Sequence, residues 1–417
     1  MKSVAVIGSG PAALMVADVV SGAGHRVTIV EKKRGPGRKL LIAGSSGLNI
    51  TNSLPIVEFL KNYTGPPELW KSLLKEFSPQ DWIRFIEELG LRTFEGTSGR
   101  YFVKEMKASK LLRAWIGRLT GRGVQFHYGR EWNGLSRTEA SRFRLGFLSS
   151  LSFDSEFDAV CFCLGGGSYE PNEVPLRWPS VFRAGGLGSL NGLDSLNSLN
   201  SLNSLGSLSD LGFEPFSPSN VGYQVAWSKE FLKECEGQPL KNVCLTSSKG
   251  SRLGDVIVTH YGLEGTPVYS MGQPGPVKLD LKPDLSVEQI LVKCRAIKEN
   301  LSPMRRIKKQ LSLCPAALGL LFHFTPKDVA SDINRLASHL KSFPLQFLQS
   351  QPLDEAISSA GGLHLNELTD DLMLIQYPGV FAAGEMLNWD APTGGFLIQG
   401  CVSQGYRAGQ GILRFLR

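Results

Sequence analysis

Near the start of this 417-residue chain, Gly8-Ser-Gly-Pro-Ala-Ala13 gives a GxGxxA spacing directly after the apolar run Ser3–Ile7. Gly8 permits a tight strand-to-helix turn, Gly10 lets the backbone approach a pyrophosphate, and small Ala13 allows close helix–strand packing. A helix opening at Pro11 and Ala12 aims unpaired N–H groups and the positive end of its dipole at phosphate. A second strand, Arg26–Val30, ends at Glu31-Lys32. A carboxylate there accepts from ribose hydroxyls and repels a 2′-phosphate. An ordinary glycine-rich turn with a surface glutamate is the plainer alternative, but strand, turn, helix and strand in this order favour dinucleotide binding.

Two more segments carry residues of the right type. Gly35 to Asn52 holds Gly37, Arg38, Lys39 and Leu40, then the small polar residues Ser45, Ser46, Asn49 and Thr51. Backbone amides and two adjacent cations of this kind suit phosphate or an anionic flavin, although a flexible basic loop looks similar. Near the C-terminus, Gly379-Val-Phe-Ala-Ala-Gly384-Glu385 reads as a strand delivering a carboxylate. Asp390-Ala-Pro-Thr-Gly394-Gly395-Phe396-Leu397 then leads into a last helix expected from about Gly400. Glu385 could hold ribityl hydroxyls, and Gly394 and Gly395 could bring backbone amides to a flavin ring. A structural turn is the competing explanation.

The elements that must position these residues follow from periodicity. Ser3–Ile7, Pro11–Ser21 and Arg26–Val30 make a βαβ unit. Helical patterns run over Pro66–Leu89 and Ala108–Arg122, and strand patterns over Val124–Tyr128 and Phe157–Leu164. In residues 187–212 leucine recurs every third position, from Leu187 to Leu211. That period fits neither helix nor strand, and the Ser/Asn/Gly content reads as a low-complexity insertion. Residues 213–285 read as short antiparallel strands, and 286–342 as helical, with Ser286 capping Val287–Asn300. The expected organisation is a first part of a dinucleotide-binding domain at 1–186, the insertion at 187–212, a β-rich middle domain at 213–285, a helical insert at 286–342, a return at 343–355, and the domain's second part at 356–417. The fold class is α/β, a discontinuous Rossmann-like domain with an inserted β-rich domain that carries a helical insert.

Composition narrows little further. Net charge is +7, which suits dinucleotides and nucleic acid alike. Seven cysteines without regular spacing make no disulfide framework. Cys161 and Cys163 share one face of a strand and read as small buried hydrophobes. No metal site, signal peptide or membrane span is expected, and the chain reads as cytoplasmic.

Taken together, the motifs resemble the BaiN-type (YhiN-like) flavoproteins, a family of NAD(P)/FAD-dependent, aminoacetone-oxidase-like oxidoreductases. The resemblance rests on Gly8–Ala13, Gly37–Gly44 with Gly47–Thr51, Leu164-Gly165-Gly166-Gly167-Ser168, Thr259–Gly265, Ala356–Gly362 and Val380–Gly395. It spans nearly all of the chain except residues 187–212. It implies FAD as resident cofactor at Gly8, Gly10 and Glu31, with Arg38, Lys39 and the Gly384–Ile398 region near the flavin. The candidate cofactor residues are therefore Gly8, Gly10, Pro11, Ala12, Ala13, Glu31, Lys32, Gly37, Arg38, Lys39, Leu40, Asn49, Thr51, Gly165, Gly166, Gly384, Glu385, Gly394, Gly395, Phe396 and Leu397. Tyr169–Val174 lacks the glycine-rich turn expected after Ser168, and the leucine triplets are foreign to the pattern.

The resemblance implies an FAD-dependent oxidoreductase acting on a small organic molecule. NAD(P)H is a candidate transient reductant, since no second GxGxxG is present. His260, inside a matched motif, is the candidate proton donor, against a structural histidine. Trp389 and Asp390 are candidates to line the pocket, and Asp390 could equally cap the following turn. Two other functions stay open: a flavin-dependent RNA-modifying or RNA-binding protein, motivated by Arg305-Arg306-Ile-Lys308-Lys309, and a non-catalytic FAD-binding scaffold. Nucleic acid is not the expected partner, because such a run is usually a solvated helix face. Oligomeric state is left open.

Overall fold

The computed structural model describes residues 1–44, 47–148, 156–170, 176–183, 211–297 and 300–417. Of the leucine-triplet segment only Leu211 and Gly212 are among them; Ser45, Ser46 and most of the Tyr169–Val174 turn lie outside. The chain forms two compact units, Met1–Ser217 with Ser359–Arg417, and Pro218–Ser358.

In the first unit, β1 (Ser3–Ile7), α1 (Pro11–Gly22) and β2 (Arg26–Glu31) form the βαβ unit. There follow α2 (Arg38–Ala43), β3 (Asn49–Asn52) and α3 (Ile56–Leu60). The single helical stretch read over Pro66–Leu89 is two helices, α4 (Pro67–Glu76) and α5 (Pro79–Glu88). The break has a local cause. Ser78 takes an extended conformation and forms a capping box with Asp81, and Pro79 starts the new helix. Then come β4 (Thr93–Glu95), β5 (Arg100–Val103), α6 (Ala108–Gly121) and β6 (Gln125–Tyr128). An antiparallel group, β7 (Trp132–Arg137), β8 (Phe143–Phe147) and β9 (Glu156–Phe157), leads to β10 (Ala159–Phe162), α7 (Trp178–Arg183) and β11 (Phe213–Ser219).

The second unit is a six-stranded antiparallel sheet with helices. Its elements are β12 (Tyr223–Gln224), α8 (Lys229–Cys235), β13 (Pro239–Ser247), β14 (Gly250–Val258), β15 (Gly262–Glu264), α9 (Thr266–Met271) and β16 (Gly275–Asp280). Five helices follow, α10 (Val287–Arg295), α11 (Pro303–Gln310), α12 (Pro315–Phe324), α13 (Lys327–Ala330) and α14 (Ile333–Lys341), before β17 (Phe343–Phe347). Sheet order is β12-β15-β14-β13-β16-β17. Ser286 caps α10 as expected, in a capping box with Gln289.

The chain returns through β18 (Ser358–Leu363) and β19 (Val380–Ala382) to a 20-residue helix, α15 (Phe396–Phe415). These complete a parallel five-stranded sheet of order β19-β10-β1-β2-β6. Every residue of β1, β10 and β19 is buried, the mark of central parallel strands covered on both faces. α15 packs tightly on α1. A side chain at Gly405 would come within 2.5 Å of the Ala12 carbonyl oxygen, so only glycine admits this approach. The helix begins at Phe396, four residues before the expected Gly400, because Gly395 adopts a left-handed conformation and ends the preceding turn there.

Candidate functional site

β1 and α1 meet at a turn that glycine alone can make. Gly8 has φ +109°, and an added Cβ would lie 2.1 Å from the carbonyl oxygen of Cys163, the residue after neighbouring β10. Gly10 differs. Its φ of −77° suits any residue, and an added Cβ would meet nothing within 4 Å. The protein itself does not require glycine there, and the space in front of it is open. α1 starts behind it with Pro11 at its first position, no side-chain cap and no acidic residue in its first turn. Its N–H groups and dipole are therefore available to an anion.

The turn opens into a pocket with about 1130 Å³ of empty volume, mouth included. Fourteen of the candidate cofactor residues line it: Gly8, Gly10, Pro11, Ala12, Ala13, Glu31, Lys32, Gly37, Arg38, Lys39, Leu40, Gly165, Gly384 and Glu385.

At one end Glu31 ties two loops together. Its Oε2 accepts from the Ser9 hydroxyl and its Oε1 from the Lys33 backbone N–H at 2.8 Å, while Ser9 Oγ accepts from Gly37 N–H at 3.2 Å. Each carboxylate oxygen retains a lone pair for a ribose hydroxyl. Beside it Glu170 lies 3.0 Å from Lys32 Nζ and 3.1 Å from Lys33 Nζ. Burial works against the charge on Glu170, yet the two ammonium groups hold its carboxyl below the usual range.

Farther along, Lys39 Nζ donates to the Gly166 carbonyl at 2.7 Å and stands 4.0 Å from Glu385 Oε2. Burial pushes this ammonium below the ordinary lysine value, against the pull of Glu385. Glu385 Oε1 accepts from the Ser359 N–H at 3.1 Å. Gly166 is needed for this approach, since a Cβ there would meet Ser359 Oγ at 2.0 Å.

Six of the other seven candidates gather elsewhere. Gly394, Gly395, Phe396, Leu397, Asn49 and Thr51 are not among the pocket-lining residues; they cluster at the N-terminus of α15 against β3. A Cβ at Gly395 would fall 2.5 Å from the Thr51 backbone. Thr51 Oγ1 and Asn49 Oδ1 are buried here without a hydrogen-bond partner in the chain. Such orphaned atoms beside an uncapped helix start fit a polar ligand group. Phe396 instead packs on Phe59, and its carbonyl accepts from Tyr63.

Three expectations move. Trp389 is buried, its indole N–H held by the Gly384 carbonyl at 2.9 Å and its ring against Tyr63 and Trp70, so it belongs to the core. Asp390 receives the Ala391 N–H at 2.9 Å, the turn-capping alternative. His260 lies in the second unit, exposed on the turn between β14 and β15, with its ring edge-on to Tyr261. The sequence reading missed Ser9, Trp132, Cys163, Glu170 and Cys401, all of which line the pocket. Only Ser9, inside the fingerprint, carried a local signal. Cys161 and Cys163 do share a face, Sγ to Sγ 3.8 Å, and burial pushes the Cys163 thiol up, which keeps it protonated and unreactive.

The model of the HI0933-like protein Rossmann domain matches residues 2–411. The chain belongs to this family. It is an FAD-dependent oxidoreductase of Rossmann-like α/β fold, with FAD as its cofactor. It is 25% identical to the ribosomal RNA dihydrouridine synthase of Escherichia coli, over 98% of this chain and 97% of the relative. It is 22% identical to the 3-dehydro-bile acid delta(4,6)-reductase of Clostridium scindens, over 98% of each. Among solved structures, the 3-ketosteroid delta1-dehydrogenase of Sterolibacterium denitrificans matches with a TM-score of 0.48 and 12% identity, over 99% of this chain and 100% of that one. Among the described residues no helix is long and apolar enough to cross a membrane.

Proposed function

We propose that this flavoenzyme is an ene reductase, which saturates a carbon–carbon double bond conjugated to a carbonyl, with transiently bound NAD(P)H as electron donor. The observation that carries the cofactor assignment is the empty space in front of Gly10 at the bare N-terminus of α1. When bound, FAD supplies hydride chemistry at its ring N5.

The chain's own residues bind and orient. The N–H groups of Gly10 and Ala12 would hold the pyrophosphate, and Glu31 the adenosine ribose. Lys39 and Glu385 act between them on the polar part of the cofactor toward the ring. Gly394, Gly395, Asn49 and Thr51 offer N–H and hydroxyl groups at the start of α15. His260, on the turn between β14 and β15, is the candidate proton donor of the second unit. Seven free thiols suit a reducing compartment such as the cytoplasm.

Support for the reaction comes from what the two curated relatives are named for. One reduces the delta-4,6 unsaturation of a 3-dehydro bile acid and the other forms dihydrouridine in ribosomal RNA. Both names describe saturation of a double bond conjugated with a carbonyl: hydride adds to the β-carbon and a proton to the α-carbon. The test is anaerobic. The flavin is reduced with NADH or NADPH and then mixed with a cyclic enone, an isolated alkene or a primary amine panel. Reoxidation by the enone alone is expected. Bleaching of oxidised flavin by an amine, or reoxidation by oxygen only, would overturn the proposal.

A further inference from the structure

A glycine-rich turn is expected after Ser168; the chain has Tyr169-Glu170 in its place. Tyr169 holds φ +57°, a left-handed conformation rare for a residue with a side chain. Backbone strain of this kind persists only where the surrounding structure fixes it. The residue that follows is fixed. Glu170 has a side chain only 11% exposed, and a single oxygen, Oε2, meets both Lys32 Nζ and Lys33 Nζ.

These ion pairs cross the sheet. Lys32 and Lys33 directly follow β2, Glu170 lies beyond the end of β10, and the two strands flank β1 on either side. All three strands run parallel, so the pairs form past their carboxyl ends, beside the Gly8–Gly10 turn and Glu31. Segments 137 residues apart are joined there.

Two ammonium groups next to the carboxylate that takes a ribose are, by themselves, a site for phosphate. A dinucleotide phosphorylated on its adenosine ribose would bring its extra phosphate to them. With Glu170 in place both are already paired. The charge of the whole pocket agrees. Six Lys and Arg side chains and four Glu line it, a formal balance of +2. A pyrophosphate carries two negative charges, so the lining matches a dinucleotide without a further phosphate. Removing Glu170 would leave one positive charge in excess.

We infer that Glu170 is a specificity residue of the cofactor pocket: by occupying Lys32 and Lys33 it keeps out dinucleotides with a phosphorylated adenosine ribose and reserves the pocket for FAD. Glu31 repels such a phosphate directly. Glu170 acts differently, by taking away the attraction that the neighbouring lysines would exert. The inference holds whichever molecule the flavin reduces, so it stands apart from the reductase proposal.

The experiment uses the full chain stripped of its flavin. NAD+ and NADP+, which differ only in the 2′-phosphate, compete with FAD, followed by flavin fluorescence. The proteins are the wild type, Glu170→Gln, Glu170→Asp and Glu170→Gln/Lys32→Gln/Lys33→Gln. On the wild type NADP+ should compete less well than NAD+. On Glu170→Gln NADP+ should compete at least about tenfold better than on the wild type, as one charge-assisted bond regained by a lysine implies, while NAD+ gains nothing. Glu170→Asp keeps the carboxylate and should keep the discrimination, and the triple variant should lose the gain. NADP+ ahead of NAD+ on the wild type, equal competition by NADP+ on wild type and Glu170→Gln, an equal gain for NAD+, loss of discrimination in Glu170→Asp, or a gain that persists in the triple variant would each overturn the inference. Loss of FAD binding by Glu170→Gln would overturn it too, because a residue that only screens the two lysines is not needed to hold FAD.

Discussion

Gly10→Val separates what the fold needs from what the cofactor needs. The backbone at Gly10 is extended, with φ −77° and ψ −178°, which a β-branched residue adopts without strain. An added Cβ meets no protein atom within 4 Å. The change therefore leaves the folded chain intact, apart from a poorer residue at the start of α1, worth about 1 kcal/mol at most. The apoprotein should melt within a few degrees of wild type, about 2–4 °C for a unit of this size. The pyrophosphate, in contrast, loses its approach to the α1 amides. Two charge-assisted hydrogen bonds at roughly 1.5–3 kcal/mol each set the scale, so about 3–6 kcal/mol of binding is lost, a factor of at least ~100 in Kd. The assay is FAD titration of the apoprotein by flavin fluorescence, with thermal melts of the same samples. Gly8→Val is the contrast, since the clash with the Cys163 carbonyl should damage the fold itself. Wild-type FAD affinity in a folded Gly10→Val protein would refute the proposed docking at α1.

Glu31→Gln removes the charge facing the ribose but keeps the amide oxygen for Lys33 N–H; FAD affinity should fall about tenfold, as one charge-assisted bond implies, and titration calorimetry would show it. Lys39 gives a pH prediction. Burial lowers its folded value below the ordinary 10.5, so between the two values the unfolded chain binds more protons than the folded one. Apoprotein stability should therefore rise with pH across that window, and Lys39→Met should be more stable than wild type at neutral pH and lack this part of the slope. Urea unfolding of both proteins at a series of pH values checks it. Gly405→Val should cost roughly 3 kcal/mol through overpacking of α15 on α1, read from the urea midpoint.

What the sequence disclosed about the site divides along a physical line. Gly8, Gly10, Glu31 and Lys39 were legible because their demands are local: a turn, an approach distance and a carboxylate at a strand end, all within about forty residues of chain. Glu170, Cys163 and Cys401 were not, because each reaches the pocket only through the sheet order β19-β10-β1-β2-β6, which joins segments more than a hundred residues apart. No periodicity encodes that order. The C-terminal motif shows the opposite error. Phe396 and Trp389 stand beside the right glycines, but the folded chain spends them on Phe59, Tyr63 and Trp70. A motif names a stretch whose backbone must pass close to the ligand. Which side chains then turn toward the ligand and which turn into the core is settled by packing, and at α15 it leaves the orphaned Thr51 and Asn49 on the neighbouring strand as the groups to watch.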